Sequence, residues 1–160
     1  MAKVAFSLLL FTSLLLCIHS SDSSSNPSQN PDPNPNLNSA YDELKSKGFP
    51  IGLLPTNVLN YSLNRTSGDF SVNLDDVCRI TLPPDNYLAA YSRRVTGKLV
   101  EGKISELDGI QVRAFFKWWS ITGIRMSGEN LVFEVGMVTA KYPSNNFDDS
   151  LECEGRHSSS

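Results

Sequence analysis

Hydrophobic residues fall along this chain in two regimes. Near the start, Val4 to Ile18 is an almost unbroken apolar run, preceded by Lys3 and ended by the polar His19-Ser20-Ser21. From Val58 onward the pattern changes to strict alternation, the mark of half-buried β-strands. Leu59, Tyr61 and Leu63 alternate with Asn60, Ser62 and Asn64, and after a Thr66-Ser67-Gly68-Asp69 turn Phe70, Val72 and Leu74 alternate with Ser71, Asn73 and Asp75. Cys78, Ile80 and Leu82 form a third strand, ended by Pro83-Pro84, and Tyr87, Ala89 and Tyr91 a fourth. Strand-like pieces between Arg94 and Ile104 are interrupted by Gly97 and Gly102, and Glu106-Leu107-Asp108-Gly109 reads as a turn. Ile110 to Trp119 alternates as one strand. Ser127-Gly128-Glu129-Asn130 is the next turn, Leu131, Phe133, Val135 and Met137 alternate after it, and Lys141-Tyr142-Pro143 ends the regular structure. Eight or so short strands predict a mainly β domain, a single small antiparallel barrel or sandwich.

One short helix precedes the strands. Ser39 stands at an N-cap position, Asp42 three residues on resembles the acidic member of a capping box, and Gly48 occupies the place of a C-terminal glycine. Phe49-Pro50-Ile51-Gly52-Leu53-Leu54-Pro55 is apolar but too rich in proline and glycine for a helix, and is expected to pack irregularly on the sheet.

The opening run has the layout of a secretory signal peptide, and its 15 residues fall short of the roughly 20 that span a bilayer as a helix. The chain therefore divides into a signal peptide (1–20), a Pro/Ser/Asn-rich linker (21–38), a β-domain (39–154) and a polar tail (155–160). The linker has too little apolar surface to offset its ordering entropy, and its alternating prolines, Pro31 to Pro35, favour an extended tether. Signal cleavage leaves no transmembrane span and places the domain in an oxidising, extracellular compartment.

That compartment sets the available chemistry. Beyond the signal only Cys78 and Cys153 remain, and two cysteines under oxidising conditions are expected to pair; the alternative is two unrelated thiols, one of them buried. Asn60-Tyr61-Ser62 and Asn64-Arg65-Thr66 are N-glycosylation sequons, four residues apart on a period-two strand and so on one polar face. The formal charge of −3 becomes −4 without Lys3, and no basic run stands out, which speaks against a nucleic-acid partner.

Catalytic constellations are missing from the pattern. There is no Gly-x-Ser-x-Gly elbow, no phosphate-binding glycine loop and no dinucleotide fingerprint. The mature chain has one histidine, His157, in the tail. Asp148-Asp149 reads as a solvated loop pair or at most a weak calcium site, so no metal ligands, cofactor or catalytic residues are assigned. The densest aromatic cluster is Phe115-Phe116-Lys117-Trp118-Trp119, whose alternation puts Phe116 and Trp118 on one face and Phe115 and Trp119 on the other. These side chains either fill a core or line a pocket for an apolar or amphiphilic small molecule. On the second reading Phe116, Trp118 and Trp119 are the first ligand contacts. Oligomeric state is left open.

Across Tyr41 to Cys153 the chain resembles a plant family known only as domain of unknown function 538. The resemblance rests on Lys47-Gly48-Phe49-Pro50-Ile51-Gly52-Leu53-Leu54-Pro55, Gly68-x-Phe70-x-Val72-x-Leu74 with Cys78, and Val95-Thr96-Gly97-Lys98-Leu99. Leu107-Asp108-Gly109-Ile110-Gln111-Val112, Phe116-Lys117-Trp118-Trp119-Ser120-Ile121, Phe133-Glu134-Val135-Gly136 and Cys153 complete it. It implies a compact barrel-like domain with a helical N-terminal piece, in secreted or membrane-associated plant proteins; secretion would then mean the apoplast. Two activities have been proposed for the family, amphiphile or lipid binding and a chlorophyll-esterase reaction. The second usually borrows a hydrolase motif that this sequence lacks. The competing class is an extracellular interaction or structural protein with a filled core.

Overall fold

A computed structural model describes residues 37–155. The expected signal peptide, most of the linker and the end of the tail, His157 included, lie outside the described residues. Helix α1 spans Leu37–Ser46, so it begins two residues before the expected cap and encloses Ser39. Its end follows the sequence. Gly48 has φ +80°, the Phe49 amide donates to the Leu44 carbonyl and the Gly48 amide to the Lys45 carbonyl. This is a Schellman closure, sealed by burial of Leu44 and Phe49 together. Ala40 and Leu44, four apart and both buried, are the face α1 presents to the sheet.

The strands are β1 (Val58–Leu63), β2 (Asp69–Leu74), β3 (Cys78–Leu82), β4 (Tyr87–Val100), β5 (Lys103–Ala114), β6 (Lys117–Ser127), β7 (Asn130–Val135) and β8 (Val138–Pro143). They form one antiparallel sheet in the order β1-β2-β4-β5-β6-β7-β8. Strands β2 and β3 share one side of the long β4, β2 along Arg94–Lys98 and β3 along Tyr87–Tyr91. Among the described residues β1 and β8 do not pair, so the sheet is not closed into a barrel. It curls nonetheless, bringing Tyr142 of β8 to 6.4 Å (ring centroids) from Tyr87 of β4 without a ladder between the two strands.

Several strands depart from simple alternation, each at an identifiable irregularity. The register of β1 slips between Val58 and Asn60; Leu59 is exposed there, against its expected inward position, while Val58 is buried. The expected Glu106–Gly109 turn is instead part of β5. Glu106 (φ +52°) and Gly109 (φ +95°) absorb irregularities, so that Ile104, Leu107 and Ile110, three apart, all reach the core. A Cβ on Gly109 would lie 2.5 Å from the Arg94 carbonyl oxygen of β4, which explains why the position carries none. Arg94 to Val100 is likewise continuous strand, with Gly97 inside it.

One hydrophobic core draws on β1 through β7, α1 and the C-terminal segment. Two short 3₁₀ helices, Ile51–Leu53 and Ser144–Phe147, meet over it. Their contact is so close that a Cβ on Gly52 would lie 2.4 Å from the Phe147 carbonyl oxygen. The last described stretch is held by amide bonds from Thr56 to the Leu151 carbonyl and from Glu154 to the Arg79 carbonyl. Cys78 and Cys153 are joined as a disulfide across 75 residues of sequence, with Cα atoms 5.0 Å apart. It ties this segment to β3, and both cysteines are buried.

Candidate functional site

The site begins with the two turns at one end of the sheet. Ala114 pairs with Lys117, which leaves Phe115 and Phe116 as a two-residue hairpin turn. Both have positive φ, 51° and 65°, the backbone of a type I′ turn that Asn-Gly normally supplies. The expected continuous strand Ile110–Trp119 is therefore two strands with its central phenylalanines at the tip. Periodicity could not show this, because neither residue is a turn former. Val135 pairs with Val138 in the same way; Gly136 (φ +62°) and Met137 form the second tip, and β8, which alternation had not separated from β7, follows.

Phe115 is 90% and Phe116 96% exposed. Met137 is fully exposed and Val138 largely so. Behind them Trp118 and Trp119 are 40% and 39% exposed. Trp119 donates from Nε1 to the Ala114 carbonyl at 3.1 Å and lies against Gly136, where a Cβ would stand 3.6 Å from its ring. Its strand partner is Val112, whereas Trp118 is paired with Arg113 and so faces the other side of the sheet.

Where the curled sheet fails to close, an apolar cavity of about 160 Å³ opens. One wall is Leu82, Pro83 and Tyr87 of the β3–β4 hairpin; the other is Phe133 and Val135 of β7 with Val138, Ala140 and Tyr142 of β8. Val112, Ala114 and Ile121 form the floor and Phe147 closes the back. Of the aromatic cluster only Phe115 lines it. The expected contacts Phe116, Trp118 and Trp119 do not; they surround the tip. The apolar gap beneath α1 is smaller, about 40 Å³.

The polar side chains lining the cavity are Tyr87 and Tyr142, one on each wall. Burial, with Tyr87 and Asp85 beside it, pushes the Tyr142 phenol up to about 12, so it stays protonated and able to donate. The rings of Phe133 and Tyr142 meet edge-on at 6.2 Å and those of Phe133 and Phe147 at 5.3 Å, which fixes the inner wall. Sequence reading did not single out Tyr87, Tyr142 or Phe147. Their only signal was an aromatic residue beside a proline or turn, and what joins them is the sheet's curl.

The sequons lie elsewhere. Asn60 and Asn64 are both exposed. Asn64 Oδ1 accepts from the Thr66 and Ser67 amides at 2.9 and 3.1 Å, an Asx turn that leaves its Nδ2 outside those bonds. Asn60 Oδ1 accepts from Asn73 Nδ2 at 2.7 Å. The β1–β2 turn meets the end of β4, since the Leu99 amide donates to the Gly68 carbonyl; it sits at the opposite end of the long strands from the aromatic tip. Among the described residues no group of His, Cys, Asp and Glu could hold a metal ion, and no helix is long and apolar enough to cross a membrane.

Fold and site together define a small open-sheet β-domain with an apolar cleft at its unclosed seam. Residues 40–148 match the profile of the family described as "Protein of unknown function, DUF538", and the chain belongs to that family. It is also similar to the uncharacterized protein At5g01610 of Arabidopsis thaliana, 27% identical over 94 residues, which cover 59% of this chain and 54% of that protein. The chain thus spans about half the length of this curated plant relative.

Proposed function

We propose that this domain is a secreted binder of an amphiphilic small molecule or lipid, and that the apolar part of the ligand enters the seam cavity. The observation that carries the reading is a cavity of about 160 Å³ walled almost wholly by apolar side chains, four times the gap beneath α1. Engineered apolar cavities of about 150 Å³ take up benzene-sized molecules, whereas whole drug-sized ligands occupy roughly 300–1,000 Å³. The cavity therefore suits one ring or the end of one acyl chain. The rest of the ligand lies along the Phe115 mouth.

Ala140→Phe tests this. Ala140 lines the cavity on an edge strand, where an aromatic side chain suits β-structure. Titration with lauric acid, followed by calorimetry, should show saturable binding by the parent and at least tenfold weaker binding by the variant. Equal binding by both removes the cavity from the account. The reading also includes N-glycans at Asn60 and Asn64, far from the cleft; peptide mapping before and after glycosidase treatment of secreted protein should show a mass shift at one or both, and none at either ends that part.

A further inference from the structure

We propose that the end of the sheet formed by the β5–β6 and β7–β8 turns docks on a lipid bilayer, with Phe115, Phe116 and Met137 entering the apolar layer and Trp118 and Trp119 at headgroup level. The proposal goes beyond ligand binding in the seam and does not require the cavity to be occupied.

Three independent observations converge. The first is exposure. Phe115 and Phe116 present nearly all of their surface to solvent, 90% and 96%, and Met137 beside them is equally bare. A convex tip of two narrow turns is not the broad, flat patch that a stable protein interface uses, but it suits insertion between lipids.

The second is backbone conformation. Two phenylalanines hold left-handed φ values where Asn-Gly would fold with less strain. Neither ring gains burial in return, so folding does not account for their presence. Strain kept at an exposed position points to a task performed there.

The third is the order of chemistry away from the tip. Behind the phenyl rings come two indoles, the side chains that favour the membrane–water interface. They are the chain's only tryptophans. Close behind the tip the hairpin carries Arg113 and Lys117, and from Gly109 to Gly128 it carries no carboxylate, in a chain of net charge −3. These two cations flank the tip on opposite faces of the hairpin, where they can pair with anionic headgroups; the nearest acids on neighbouring elements are Asp85 of the β3–β4 turn and Glu134 of β7, which packs against Gly123. The sequons lie at the far end of the long strands, where glycans would not obstruct contact.

The test uses the full chain produced in secreting cells. Phosphatidylcholine vesicles, with and without phosphatidylglycerol, are mixed with the protein and floated on a density gradient while tryptophan emission is recorded. The parent should float, more strongly with the anionic lipid, and its emission should shift to the blue. Phe115→Asn with Phe116→Gly keeps a favoured turn and so should fold; removing two inserting rings should lower partitioning by about 100-fold. Ala140→Phe, which leaves the tips untouched, should float like the parent, so failure of the cavity reading is told apart from failure of this one. A parent that stays in solution overturns the proposal. So does a tip variant that floats like the parent. Parent protein that ignores vesicles but self-associates through the tip, with the tip variant monomeric, also overturns it and assigns the surface to a second copy of the chain.

Discussion

Replacing Phe115-Phe116 by Asn-Gly should make this protein more stable, although it deletes two large hydrophobic residues. Both positions have left-handed φ, 51° and 65°, and that region costs a side chain with a Cβ roughly 1–2 kcal/mol per residue. Glycine at position 116 escapes that cost in full, and asparagine at 115, whose short polar side chain bonds locally in this region, escapes part of it, so relief is worth about 2–3 kcal/mol. Against it stands the loss of buried ring. Phe116 buries almost nothing, and Phe115, 90% exposed, buries about a tenth of its surface, on the order of 20 Å² or about 0.5 kcal/mol. The added glycine costs about 0.5–1 kcal/mol through the flexibility it gives the unfolded chain. The balance is a gain of about 0.5–2 kcal/mol, which should raise the urea midpoint by roughly 0.5–1 M at unchanged slope. Urea unfolding followed by far-ultraviolet circular dichroism, with the disulfide intact, measures it. Phe115→Ala with Phe116→Ala is the control: it removes the same rings, retains the left-handed strain, and should show little or no gain. A fall in stability for the Asn-Gly variant would refute the reasoning, because it would mean that the rings are packed or that the turn is not of this type.

Three further outcomes follow from the structure. Gly52→Ala sets a Cβ 2.4 Å from the Phe147 carbonyl oxygen, backbone against backbone, and should cost about 2–3 kcal/mol in urea unfolding; a neutral result would show that the two 3₁₀ helices separate easily. Replacing both Cys78 and Cys153 by Ala removes a cross-link spanning 75 residues, for which chain entropy gives about 4 kcal/mol; a loss under 1 kcal/mol, read by the same denaturation, would contradict a constraint on the unfolded state. Burial raises the phenols of Tyr41 and Tyr91, and burial with Tyr87 and Asp85 raises Tyr142 to about 12. The folded chain thus holds these protons after the unfolded chain has begun to lose them near pH 10, so stability should fall as pH rises from about 10 towards 12. Thermal melts across that range, with phenolate absorbance recorded alongside, check it; a flat profile would mean that these hydroxyls reach water.

Alternation made most of the strands legible because a half-buried strand writes its burial into the sequence every second residue. Phe70, Val72 and Leu74, or Cys78, Ile80 and Leu82, could hardly be read otherwise, and Gly48 announced the end of α1. The pattern misled where one residue breaks the period without changing its look. Leu59 is apolar yet exposed at a register slip, and Glu106 to Gly109 has turn composition inside a strand. At the tip, Phe115 and Phe116 carry strand-like chemistry on turn geometry. The aromatic cluster was visible as a cluster, but its exposure was not. The cavity is less legible still. Leu82, Tyr87, Val112, Phe133, Tyr142 and Phe147 are scattered along the chain, and what unites them is that β8 approaches β4 without pairing. Sheet closure depends on accumulated curl and tilt, which no local pattern records.

The central claim is that the unclosed seam holds the apolar part of a ligand. Native mass spectrometry of the full chain produced in a plant expression host, set against its denatured mass, tests that most directly. The account predicts extra non-covalent mass, released by organic solvent, on the parent and absent from Ala140→Phe purified in parallel. Equal native and denatured masses for the parent, or the same bound mass on both proteins, would contradict it.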